Sequence, residues 1–479
     1  MNLKGISFAS TIAIPALTVL LTSLLVLSVS MGWNDILMIS SIVLGGLIVI
    51  YLLMWEYNLF ISSFVFLIPL SVPISFGDHV LSMPSELMLV GIASLFAMRI
   101  LFYNPISTKV LIHPLTIVLL IDIVWMIATS FTSTMPEVSV KRTLMKSMYL
   151  FVFYLHFTVY FKDLKNVRHF YLAYALGLII PILWTLYSHS LLDFSMISAF
   201  MVTEPFYKEH TVYAACLTMV LAVMLGLGTK AGYYIKRSPV LLLIAAGIFF
   251  TFSRAAWLSF VLAFLVYSLI RLNARGWVYY LLGLSVLVMA YVNLNEILNN
   301  FEQNESVGYK GDLIEHVESL TNITNDASNA ERINRWVSAF NMFREKPYMG
   351  FGPGTYQFQY GVFQEFEYMT RISTFKGDKG NAHSEYFNAL AEVGIIGLFI
   401  LLATLFTAFI SLRRLIFHAD NPEIRNMALA VFLGLITYFA HGVVNCFIDM
   451  EKAAVLVFGS FAVIAALDIK FREQEMQST

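Results

Sequence analysis

Long apolar runs fill most of this chain. A membrane-crossing helix needs about 20 consecutive apolar residues. Runs of that order recur near 10–30, 36–54, 58–76, 86–103, 112–131, 144–161, 169–188, 211–228, 239–252, 255–271, 277–293, 386–412, 426–447 and 453–469. The pattern predicts an all-α membrane protein, a polytopic helical bundle of about 12–14 transmembrane helices. The runs at 58–76 and 239–252 are short enough to be re-entrant or tilted, which is where the lower figure comes from. The first run, Phe8 to Val29 behind Lys4, exceeds the apolar region of a signal peptide and reads as an uncleaved first span. From about Leu294 to Glu385 the apolar runs stop. The chain therefore divides into a transmembrane bundle over 1–293, a large hydrophilic loop over 294–385, and C-terminal helices with a short tail over 386–479.

Two local patterns stand out inside the loop. Ser328 and Glu331 have capping-box spacing and open a helix. Along it Ile333, Trp336, Phe340 and Phe343 recur at helical spacing and predict an apolar face, with Arg332 and Arg335 on the more polar side. Lys346-Pro347 ends the helix. Next comes YMGFGPGTY, Tyr348 to Tyr356, whose glycines and Pro353 demand a tight irregular turn. The helix is expected on the membrane surface or across the mouth of a cavity.

Composition sharpens this picture. The 479 residues are 58% hydrophobic and 13% charged, against about 25% charged in soluble domains. A net charge of −1 gives no argument for nucleic acid. Cys216 and Cys446 both lie in apolar runs without metal-ligand spacing and read as buried thiols. With the N-terminus inside, the inner loops collect Arg99, Lys109, Lys162, Lys165, Arg168, Lys230, Lys236, Arg237, Arg271, Arg275, Arg413, Arg414 and Arg425, and the tail adds Lys470 and Arg472. The short outer loops hold Lys141, Arg142, Lys208, Arg254 and Lys452. Positive charge collects on cytoplasmic loops, so both termini are expected inside and the large loop outside.

Candidate chemistry gathers on the outer side. Asn381 can cap the helix that follows the loop, which would put His383 in its electropositive first turn and keep the imidazole neutral. A neutral imidazole at the membrane–water boundary suits a general base; an interfacial histidine with ordinary hydrogen bonds is the competing reading. Arg254 follows FTFS between apolar runs, where its planar fork suits a phosphate or pyrophosphate; a snorkelling arginine is the alternative. Lys208 and His210 are candidates for a second cationic contact, unless Glu204 and Glu209 neutralise them as a solvated loop. Arg332 and Arg335 are candidate anion ligands or simply a solvated helix face. Tyr356, at the end of the glycine-rich turn, is a candidate substrate contact, and His441 and Asp449 lie where they could line the same outward cavity. Asp122 and Glu392, inside apolar spans, should be paired or hydrogen-bonded. There is no HExxH, Walker loop or GxSxG, and neither a metal nor a nucleotide cofactor is expected.

The segments ERINRWVSAFNMFREKPYMGFGPGTY and NAHSEYFNALAEVGIIGLF, with TFSRAAWL upstream, resemble the O-antigen ligase superfamily over roughly Pro205 to Val455. That group includes O-antigen ligases, O-antigen polymerases and bacterial O-linked oligosaccharyltransferases. The resemblance implies a GT-C-like glycosyltransferase of the bacterial inner membrane, independent of metal and nucleotide sugar. It implies a glycan donor on undecaprenyl pyrophosphate and an acceptor hydroxyl of lipid A-core, glycan or protein on the periplasmic face. By motif, His383 would be the general base and Arg254 a pyrophosphate ligand. The family usually has a further arginine before the helix that begins near residue 211; Lys208 and His210 stand there in this chain. The main rival to a ligase is a polymerase, then a protein oligosaccharyltransferase. A lipid-linked glycan flippase or exporter is the non-enzyme alternative, against which stand the one-sided loop and the lack of a visible internal repeat.

Overall fold

The structure, a computed structural model, describes residues 57–76, 79–196, 198–228, 231–278, 281, 283–284, 327–369, 373 and 380–478. The expected spans at 10–30 and 36–54, most of 277–293, and the first part of the loop lie outside the described residues. The chain divides into units at residues 1–64 and 65–479. Of the first, the described part is the start of helix α1 (Tyr57–Leu67).

The second unit is a polytopic helical membrane protein. Its helices are α2 (Ser85–Tyr103), α3 (Pro114–Phe131), α4 (Pro136–Tyr149), α5 (Leu164–Gly177), α6 (Ile179–Ser190), α7 (His210–Gly226), α8 (Ala231–Phe250), α9 (Arg254–Arg271), α10 (Ala327–Glu345), α11 (Glu385–His418), α12 (Pro422–His441) and α13 (Glu451–Ser478). Among the described residues seven helices are long and apolar enough to cross a membrane: α2, α3, the continuous α5–α6 pair, α9, α11, α12 and α13. Shorter apolar helices include α7 and the apolar part of α8.

Several boundaries differ from the sequence expectation. The expected span at 58–76 ends as helix at Leu70, and Val72–Phe76 instead pairs antiparallel with His79–Met83. Pro73 lacks the N–H a helix needs, which favours the hairpin. The expected span at 144–161 begins at Pro136 and passes through a π-helical segment, Leu150–His156, into a last helical turn at Phe157–Tyr160.

Close approaches between helices orient the unit. A Cβ on Gly226 would fall 2.6 Å from the Ala430 Cα, and one on Gly434 would fall 2.5 Å from Val223 Cγ2. Small residues thus let α7 and α12 pack tightly and antiparallel, which brings His210, the first residue of α7, to the end of α12 that carries His441. Gly247 on α8 lies against Tyr213 and Leu217, so Arg254, which opens α9, reaches this same end. The opposite end gathers ion pairs: Lys109–Glu473 at 2.7 Å, Arg168–Glu423 at 3.2 Å, Arg472–Asp468 at 3.1 Å, and Arg414–Asp468. Asp468 also meets His113 at 3.0 Å.

The loop locks onto a break in α11. Gly394 has φ 70°, outside helical geometry, and a Cβ there would strike the Tyr348 carbonyl oxygen at 2.1 Å. The carbonyls freed by the break are taken from outside the helix. Phe351 N donates to Ala391 O at 3.0 Å, Gly352 N to Glu392 O at 2.8 Å, and Trp125 Nε1 to Val393 O at 2.9 Å. A broken helix at membrane depth is tolerated only when its backbone groups find such partners.

Candidate functional site

His383 lies in the short segment between the loop and α11. Ser384, not Asn381, is the N-cap: its side chain accepts from Phe387 N at 3.4 Å. Asn381 Oδ1 instead accepts from His383 N at 3.0 Å, forming a local turn of the kind Asn favours. His383 therefore precedes the helix and has φ 48°, a left-handed conformation uncommon for a residue with a Cβ. The expectation of a place in the first helical turn is corrected, because Asn381 spends its side chain on the turn before the cap. Three more bonds fix this segment. Asn381 Nδ2 donates to Cys446 O at 2.8 Å, Trp336 Nε1 to His383 O at 3.3 Å, and Glu385 N to Gly442 O at 2.9 Å.

The imidazole is held neutral for a different reason than the helix dipole. Burial, then the nearby Arg335 and Arg332 guanidiniums, push its pKa down to about 3. Arg332 lies close enough to act electrostatically on His210 and His441 as well. One cation of α10 thus stands among three histidines, from the start of α7, the end of α12 and the approach to α11. Arg332 Nε donates to Val444 O at 3.2 Å, which ties α10 to the turn after α12.

Arg335 has a different setting. Its Nε donates to Glu331 Oε1 at 2.9 Å, its Nη1 to Asn381 O at 2.9 Å, and its guanidinium lies 4.9 Å from the Tyr360 ring centre. Glu331 also accepts from Ser373 Oγ at 2.5 Å. Glu331 is thereby engaged with Arg335 and Ser373, and the side chain of its expected capping partner, Ser328, lies outside the described residues. The expected apolar face of α10 is also corrected. Glu331, Asn334, Arg335, Ser338, Ala339 and Met342 are buried, while Phe340 is 47% exposed. The polar stripe turns inward because the glycine-rich turn and the 381–384 segment supply its partners.

Tyr356 lies in the core beneath these residues. Its hydroxyl donates to Arg335 O at 2.8 Å and its ring stacks on Tyr360 at 5.1 Å. Glu392 accepts from Gly354 N at 2.8 Å and from Tyr356 N at 3.1 Å, so the carboxylate pins the glycine-rich turn to α11. Asp122 meets Lys146 at 2.7 Å, the pairing a carboxylate in an apolar span requires. Asp449 pairs with Arg142. Both pairs line a cavity of about 80 Å³ with Glu385 and Glu392. His210, Arg332 and His383 do not line it. Lys208 is exposed, and with Arg335 it opposes the upward push that burial gives the neighbouring Glu209 carboxyl.

The structure therefore brings together His383, Arg332, His210 and His441, places Arg254 at the same end of the bundle, and keeps Asp449 in a separate cavity. Asn445, Arg142 and Lys146 carried no signal in the sequence beyond their position in or beside apolar runs. Residues 239–402 match the family model described as O-antigen ligase. No curated protein matches the chain. The matched segment runs from within α8, through Arg254, Arg332 and the glycine-rich turn, past His383 into α11, and over this part the chain is similar to the O-antigen ligase family.

Proposed function

We propose that this protein transfers a glycan from an undecaprenyl-pyrophosphate carrier to an acceptor hydroxyl at the periplasmic face of a bacterial inner membrane, using a GT-C-like helical scaffold. The carrying observation is the convergence of Arg332 and His383, the latter fixed by backbone bonds in a left-handed conformation. Strained residues held by their surroundings cluster at functional sites. The cation-rich loop end of the bundle, with Lys109, Arg168, Arg414 and Arg472 in ion pairs, would face the cytoplasm and leave the His383 end outside.

The chemistry follows from the parts. His383 removes the acceptor O–H proton as the oxygen attacks the anomeric carbon. The bond from that carbon to the diphosphate oxygen breaks, and undecaprenyl pyrophosphate leaves with the electron pair. Arg332 and Arg254 stabilise the charge that grows on it. An imidazole near pKa 3 is a weak base. A bound diphosphate opposes the guanidinium share of that depression, burial being the larger share, so the donor makes His383 a stronger base than it is in the free enzyme. His210, rather than the exposed Lys208, supplies the further contact at the start of α7. The test is a transfer assay with purified protein, lipid-linked donor and three acceptors offered separately: lipid A-core, a second carrier-linked glycan, and a serine- or threonine-bearing protein. Transfer to lipid A-core is the expected result. Transfer to the second or third alone would make the protein a polymerase or an oligosaccharyltransferase, and transfer to none would remove the proposal.

A further inference from the structure

The end of α12 and the turn after it carry polar atoms without a hydrogen-bond partner among the described residues. His441 is 1% exposed, yet among the described residues neither ring nitrogen has a hydrogen-bond partner. Asn445 is also 1% exposed, and its side-chain amide nitrogen has none. Buried polar groups are paired in the great majority of cases, and leaving one unpaired costs about 1–3 kcal/mol. Three such atoms within five residues mark a place where polar partners are needed. The turn lies against the base and the cation: Arg332 binds Val444 O, Asn381 binds Cys446 O, and Glu385 N binds Gly442 O. Val443, in the same turn, is 48% exposed, so the turn borders open space.

The kind of partner can be read from the unmet bonds. A neutral imidazole presents one N–H donor and one lone-pair acceptor, and the amide nitrogen of Asn445 presents donors. An ionised phosphate, which only accepts, would leave the lone pair of His441 facing oxygen. A hydroxyl both donates and accepts. Neighbouring hydroxyls on a sugar ring match the imidazole and the amide together.

We infer that His441 and Asn445 form a sugar-hydroxyl subsite that holds the carbohydrate of the lipid-linked donor beside its diphosphate. The inference rests on the glycan-transfer reading above and adds the residues that grip the sugar. It also accounts for why the His441 ring nitrogens and the Asn445 amide nitrogen stay buried without partners among the described residues: they are satisfied when substrate is bound.

The test uses the full chain in lipid nanodiscs and competition against a fluorescent undecaprenyl-pyrophosphate analogue. Two competitors are compared: bare undecaprenyl pyrophosphate, and undecaprenyl-pyrophosphate-linked oligosaccharide extracted from the bacterial membrane. Wild type should bind the sugar-bearing carrier more tightly. His441→Phe and Asn445→Leu should each weaken that binding about fivefold to tenfold, the size of a lost hydrogen bond or two. Affinity for the bare carrier should hold within about twofold. The thermal midpoint of each variant without ligand should stay level or rise, because an apolar side chain replaces an unpaired polar one; the His441 ring already packs edge-on against Phe447 at 5.5 Å. Equal losses for both carriers would mean the pair acts on the diphosphate or on folding, and would overturn the subsite. Unchanged binding with a lowered midpoint would mean the atoms hold structural water, and would overturn it too. If wild type binds neither carrier, the glycan-transfer reading fails first.

Discussion

At the scale of the residue, His383 is governed first by its burial and then by the charges of Arg335 and Arg332. Burial and two guanidiniums hold the His383 pKa near 3, so the ring is neutral through the physiological range. A neutral base is lost as pH falls through its pKa, so the acid limb of kcat/KM, which reports the free enzyme, should lie well below that of an ordinary imidazole near 6.5. Arg332→Gln removes one of the charges that depress the ring and should move that limb to higher pH, while also weakening donor binding. A pH–rate profile of the variant checks this; a limb that stays put or moves down would separate Arg332 from His383. What the sequence made legible about His383 and Arg254 is their position, each a costly or reactive group set at the end of an apolar run. Arg335 was not legible in the same way. Its partners, Glu331, Asn381 and the Tyr360 ring, come from three parts of the loop, and only the first is its neighbour on the helix.

At the scale of the element, α11 is the organising piece. Its first half carries Glu385 and Glu392, and each carboxylate gathers backbone N–H groups from another segment: Phe447 and Ile448 for the first, Gly354 and Tyr356 for the second. The break at Gly394 lets the 347–352 strip cross the helix and satisfy its freed carbonyls. Gly394→Ala should destabilise the protein by about 1–3 kcal/mol from the left-handed φ alone, with more from the clash against Tyr348 O, 2.1 Å from the added Cβ. Thermal unfolding of the purified variant should show a lowered midpoint and loss of transfer together. A wild-type midpoint would show that the strip does not depend on the break. The helical run itself was plain from its apolar length, and the break was not, since a single glycine inside a long apolar run has many uses. The burial of α10 by its polar stripe escaped periodicity for a related reason: a periodic pattern names the greasier face, while burial follows whichever face finds partners.

At the scale of the whole molecule, the membrane character and the gathering of cations at one end follow directly from composition and from where lysine and arginine fall between runs. What the linear pattern lacked was the third dimension at the other end. There the starts of α7 and α9, the end of α12 and the approach to α11 meet because glycines let α7 and α12 close on each other. That meeting gathers His210, His441, Arg332 and His383 at one end of the bundle, while Asp449 lines the cavity shared with Arg142. His383 is proposed to take the acceptor's proton at that end of the bundle. The most direct measurement is single-turnover glycan transfer by the purified His383→Gln protein, with donor binding measured on the same sample. Glutamine can donate and accept hydrogen bonds but cannot take up a proton near neutral pH, and a positioned base contributes about 10²–10⁴-fold. Transfer should fall by that factor, as far as in His383→Ala, while donor affinity holds; near-normal transfer by the glutamine variant would contradict the role of His383 as the base.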